Sequence, residues 1–145
     1  MDFPLLEICD DDLGEAWAER YFHAGRLKCP ECGASKRKAW IDGRTKRSRI
    51  TKYRCSACGN VYNVYHGTVF AGKQIRPAQA VLLLRGICKG ESTAGLAREL
   101  ELTYDTILAI RRVIHANALR LQPKTPLHDQ MTETDEMFQN AGEKG

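Results

Sequence analysis

An α+β fold is predicted for this 145-residue chain by three observations. Two cysteine pairs, Cys29-Pro30-Glu31-Cys32 and Cys55-Ser56-Ala57-Cys58, stand 22 residues apart. The interval between them reads as short strands around a turn dipeptide. From residue 77 onward, apolar residues recur at helical spacing.

Taken in order, Asp10-Asp11-Asp12 suits an N-cap and first helical turn, where carboxylates meet the positive end of the helix dipole. The cysteine pairs follow. Two residues between thiolates let a tight turn aim both sulfurs at one ion, and two such turns complete a closed tetrahedral site. Gly33 and Gly59 each follow the second cysteine of a pair, where a residue without Cβ takes positive φ readily. Cys29, Cys32, Cys55 and Cys58 are therefore expected to hold structural Zn2+, with iron the rival ion for a four-thiolate cage. A closed set leaves no position for water, so no catalytic role attaches to it. His23 and His66 flank the segment, but four thiolates already satisfy zinc. Cys9 and Cys88 are expected as small buried apolar residues.

Between the pairs, Ala39-Trp40-Ile41, Asp42-Gly43 and the stretch from Arg44 to Ile50 read as strand, two-residue turn, strand. A third strand is expected around Tyr53 and Arg54, with Val61 to Val64 after the second cysteine pair. Trp40 is expected to cover the small core. In outline this is a small four-cysteine zinc ribbon of the β-hairpin type.

Pro77 suits a first helical position, and Ala80, Leu84, Ile87 and Cys88 follow at helical intervals. Lys89-Gly90-Glu91 ends that helix. Ser92 caps a short second helix bearing Leu96, Ala97 and Leu100; Thr103 caps a third, with an apolar stripe of Ile107, Ile110, Ile114 and Leu121. Pro123 and Pro126 mark its exit. Short helix, tight turn and longer capped helix outline an all-α helix-turn-helix, whose second helix enters the major groove. The division expected is 1–25, 26–70 for the ribbon, 71–122 for the helices and 123–145 for a linker and strand.

Charge is uneven along the chain. Residues 1–22 carry a net −6, residues 23–60 +9, residues 61–129 +4 and residues 130–145 −3. A basic segment of this density is either a solvated loop or a surface for phosphate backbone. Lys36, Arg37, Lys38, Arg44, Lys46, Arg47 and Arg49 would lie on or beside the hairpin; Tyr104 and Thr106 would meet base edges, and Arg111 and Arg112 phosphates. Basic hairpin and capped helices together point to double-stranded DNA. The longest apolar run, Ala80 to Leu84, is five residues against about 20 for a bilayer, so no membrane span is expected. The first residues do not resemble a secretion signal, and the expected compartment is the cytoplasm.

In sequence order, Cys29-Pro30-x-Cys32-Gly33, Tyr53-Arg54-Cys55-x-x-Cys58, Gly67-Thr68-Val69-Phe70, Ser92 to Leu102 and Ile107 to His115 resemble the zinc-ribbon DDE transposases of bacterial insertion sequences, the ISXO-like group. Phe3 through Cys9, Leu13 and Trp17 to Gly25 is similar to that family's leader helix. The resemblance implies recognition of transposon inverted repeats, followed by a ribonuclease H-like nuclease. Thr132-Glu133-Thr134-Asp135-Glu136-Met137-Phe138 is similar to that nuclease's first strand, so Asp135 corresponds to its first catalytic carboxylate. The rest of the triad has no counterpart, and the start of the nuclease is expected to be truncated. Mg2+ chemistry belongs only to an intact family nuclease domain, so this chain alone is expected to be inactive. Alternatives are a free-standing transcriptional regulator and a protein-interaction module; a homo-oligomer is left open.

Overall fold

The computed structural model describes residues 10–122. Cys9, Asp135 and the whole 123–145 segment lie outside the described residues. Within them the chain is mixed α+β: helix α1 (Asp11–Phe22), a short 3-10 turn (Lys36–Lys38), strands β1 (Ala39–Arg44), β2 (Thr51–Cys55) and β3 (Val61–Tyr62), then helices α2 (Pro77–Cys88), α3 (Thr93–Leu100) and α4 (Tyr104–Leu121). The strands form one antiparallel sheet in the order β1-β2-β3. No helix among the described residues is long and apolar enough to cross a membrane.

The helix boundaries follow their caps. Asp10 accepts the Asp12 N–H at 2.8 Å, Ser92 the Gly95 N–H at 3.0 Å and Thr103 the Thr106 N–H at 3.3 Å, each satisfying a donor that the first turn leaves open. Pro77 opens α2, and Gln79 reaches back to the Arg76 N–H at 3.0 Å. Gly90, at φ +77°, turns the chain out of α2.

The hairpin differs from its expected form. Asp42-Gly43 is not the turn: β1 runs through it to Arg44, and the reversal occupies 45–50. Ile41 pairs with Tyr53 and Arg44 with Thr51, so Asp42 and Gly43 together face Lys52 alone. This is a β-bulge, and Gly43 at φ +84° supplies the positive φ that a bulge needs as much as a turn does. Thr45 closes the true loop: its N–H donates to the Ile50 carbonyl, and its hydroxyl accepts the Ile50 N–H, both at 2.9 Å. The strand holding Tyr53 and Arg54 is thus the second, not a third, and β3 stops at Tyr62.

Two apolar clusters hold the molecule. The smaller joins Leu27, Cys29, Cys55 and Tyr62. The larger runs from Trp17 and Ala18 of α1 through Ile50, Tyr65 and Phe70 to α2, α3 and the first half of α4. Trp40, expected in the core, is 52% exposed on edge strand β1, whereas Tyr62 at 1% fills the sheet's interior. Cys88 is also exposed rather than buried, being the last residue of α2. Leu121 is 84% exposed, so the stripe of α4 is buried only to Ile110, with Ile114 half-buried. The reason is length: α4 has 18 residues, but its partner α3 has eight, about 12 Å of helix.

Helix α1 fastens the sheet to the helices. Asp11 pairs with Arg76 at 2.7 Å, Asp12 with Arg44 at 2.7 Å and Glu19 with Lys36 at 2.6 Å. Glu15 is buried and accepts from the Thr51 N–H and hydroxyl, both within 3.2 Å. Burial pushes its carboxyl above the ordinary 4.5, against the lowering effect of the Thr51 bonds. A raised folded-state pKa favours folding below the unfolded value and loses that contribution as pH rises through the folded one. Glu15→Gln keeps an acceptor for Thr51 and cannot ionise. Its melting temperature relative to the unmodified chain is therefore expected to climb between pH 4.5 and neutrality, as read by thermal denaturation at several pH values; a constant difference would refute this account.

Candidate metal centre and basic surface

The cysteine site is built by two copies of one turn. In the first, the Gly33 N–H donates to the Cys29 carbonyl and the Cys29 N–H to Ala34; in the second, Gly59 donates to Cys55 and Cys55 to Asn60, all at 2.9 Å. Gly33 and Gly59 sit at φ +71° and +76°, as their positions after the pairs require. The four Sγ atoms lie within 4.8 Å of one another. Cys29 to Cys58 and Cys32 to Cys55 are both 3.5 Å. Metal–sulfur bonds of about 2.3 Å in a tetrahedron place sulfurs about 3.8 Å apart, so the donor set fits one metal ion.

Backbone amides prepare part of this set for deprotonation. The Cys32 N–H, with that of Glu31, lowers the Cys29 thiol from 9.0 to about 6 against the effect of burial. On Cys58 the Asn60 N–H pulls the same way, yet burial and the three neighbouring sulfurs push the thiol up to about 12. Sulfurs packed this closely cannot all carry charge without a cation among them. His23 and His66 are engaged elsewhere, His23 Nε2 with the Val64 carbonyl at 2.7 Å and His66 Nδ1 with the Asn63 N–H at 3.1 Å.

The basic residues fall into distinct situations. Lys36 holds Glu19 and lies 5.3 Å from the Tyr53 ring centre; Arg37 and Lys38 complete the same 3-10 turn. Arg44 is paired with Asp12, and Arg54 with Asp42 at 2.9 Å. Lys46, Arg47 and Arg49 sit on the 45–50 loop, exposed, with Arg47 donating to Gln74 Oε1 at 2.8 Å. Arg49 takes φ +53° there. On α4, Tyr104 is exposed at the first turn, and Thr106 accepts the Thr103 hydroxyl at 2.7 Å. Arg112 is exposed, whereas Arg111 reaches back to the Glu91 carbonyl and ties α4 to the turn before α3.

Sequence reasoning did not foresee the carboxylates of α1 as partners for these cations, nor Lys73 and Gln74 beside the loop. The −6 charge of residues 1–22 was the available signal for the first; nothing local announced the second. Compared with known proteins, the chain matches no family model, no curated protein and no solved structure.

Proposed function

We propose that residues 10–122 form a DNA-binding unit, a zinc ribbon joined to a helix-turn-helix, and that they serve the recognition of transposon ends in a DDE transposase of the insertion-sequence type. The four-thiol set is read as a structural Zn2+ site: two equivalent turns deliver four sulfurs and leave no place for a substrate water.

One observation carries the DNA reading. Arg47 on the loop bonds Gln74, two residues before the N-cap of α2, while Gln79 on α2 donates to the Leu100 carbonyl at 2.8 Å, next to the turn that launches α4. Two side-chain bonds thereby fix a cation-bearing loop relative to the capped N-terminus that would enter a groove. In this arrangement Lys46, Arg47 and Arg49 contact phosphates while Tyr104 and Thr106 face base edges.

The test is binding of the zinc-loaded chain to duplex DNA across a salt series. Arg47→Ala is expected to weaken binding to all sequences and to reduce the slope of log affinity against log salt by about 0.9. Thr106→Ala is expected to change preference among sequences instead. Absence of affinity at low salt would overturn the reading. It would favour an interaction module, for which the exposed neighbours Trp40 and Ile41 on edge strand β1 are the supporting observation.

A further inference from the structure

The cations of the chain divide by what stands beside them. Lys36, Arg44, Arg54 and Arg76 each hold a carboxylate at 2.6 to 2.9 Å. Lys46, Arg47 and Lys73 hold none among the described residues, and these three line a single cleft of about 560 Å³ between the 45–50 loop and the 72–74 turn. Its remaining polar wall is Thr45, Ser48, Asn63 and Gln74, with no aspartate or glutamate in it.

Lys46 and Arg47 are exposed and Lys73 is half-buried. Arg47 is anchored on Gln74 at 2.8 Å, and the Lys73 N–H donates to the Phe70 carbonyl at 2.9 Å, which fixes the backbone that carries Lys73. The Thr45 and Ser48 hydroxyls bond each other at 2.5 Å and brace the loop. A concavity that draws positive groups from both the 45–50 loop and Lys73, with no carboxylate in its wall, matches a tetrahedral oxyanion. It does not match a base. The aromatic residue in the wall, Tyr65, is buried at 2% exposure with its hydroxyl donating to Ile75, so it offers no face for stacking.

We propose that this cleft binds a phosphate group, with Lys73 as a ligand alongside Lys46 and Arg47. Resting on the DNA-binding reading, the phosphate is a backbone phosphodiester of the duplex whose groove α4 enters. The cleft then acts as a clamp that sets the register of α4 on the helix.

Fluorescence anisotropy of the zinc-loaded full chain on a short mixed-sequence duplex, between about 50 and 200 mM salt, reads the proposal. Lys73→Ala and Lys73→Gln are each expected to lower the log–log slope by about 0.9, as Lys46→Ala does, while Lys89→Ala leaves it unchanged. Far-UV circular dichroism confirms that each variant is folded. In parallel, inorganic phosphate added without DNA is expected to shift the amide resonances of Ser48, Gly72 and Lys73, and not to do so in Lys73→Gln. An unchanged slope with intact phosphate shifts would assign the cleft to free phosphate and overturn the DNA source. An unchanged slope with no shifts would overturn the proposal altogether. If the unmodified chain fails to bind DNA at low salt, the DNA-binding reading falls by itself, and the phosphate titration alone decides the cleft.

Discussion

Replacing Cys55 by serine is expected to unfold the sheet while most helical signal survives. Cys55 is at once a member of the four-thiol set, the last residue of β2 and a member of the small cluster with Leu27, Cys29 and Tyr62. That cluster is too small to stand alone, so on the zinc reading the metal would supply its stability; structural zinc sites in small domains contribute on the order of 10 kcal/mol or more. The larger cluster draws on α1, α2, α3 and α4 and keeps its own packing. In a nitrogen–proton correlation spectrum, dispersion from residues 26–62 should collapse, metal content should fall to background and ellipticity at the helical minimum should change little. Chelation of the unmodified chain should give the same spectrum. Cys88→Ser, at an exposed position away from the site, should do none of this. A Cys55→Ser chain with unchanged dispersion and no bound metal would refute the structural assignment.

Gly14→Ala tests the seam between α1 and α2, and it does so by sign. In an isolated helix interior, alanine is more favourable than glycine by about 0.5–1 kcal/mol. Here a Cβ on residue 14 would lie 2.8 Å from the Pro77 carbonyl carbon and 2.9 Å from the Ala78 nitrogen, both backbone atoms that cannot rotate aside. The expected result is a loss of about 1–3 kcal/mol, several degrees in melting temperature. Prying α1 outward also loosens Asp11 from Arg76. Gly86→Ala is the comparison against a side chain: its Cβ would run into the terminal methyl of Leu96, which is 1% exposed in the core, so it too is expected to destabilise. Thermal melts of both variants suffice; a stabilised Gly14→Ala chain would show that the two helices do not meet as described.

What was legible in the sequence was what short range decides. Cysteine spacing and the glycine after each pair specify a turn within five residues, and Ser92 and Thr103 reveal their helices because a cap bonds only three residues ahead. Asp42-Gly43 misled because the dipeptide encodes a positive φ, not the structure that uses it; the choice between turn and bulge was made by Thr45, whose bonds to Ile50 close a better loop. Trp40 misled because it stands on edge strand β1, where it and Ile41, on opposite faces, are 52% and 67% exposed, while Tyr62 of β3 fills the small cluster instead. The basic segment was legible as a charge but not as a surface. Lys36 and Arg44 find their carboxylates on α1, whereas Lys46, Arg47 and Lys73 form no ion pair among the described residues and line one cleft.

The position of α1 in the chain has a consequence for synthesis. All four sulfurs are present once Cys58 has left the ribosome, and the small cluster around them is complete with Tyr62, before any of α2 is made. Helix α1 is made first yet waits longest, because its seam with Pro77 and Ala78 and its pairing with Arg76 require residues that emerge afterwards. During that interval Trp17 and Ala18 have no α2 to pack on, and the nascent chain presents a sticky acidic helix beside the cysteine-bearing sheet. On the structural-metal reading, metal capture would precede docking, and a shortage of metal would leave α1 without the Lys36 and Arg44 anchors that hold it until α2 arrives.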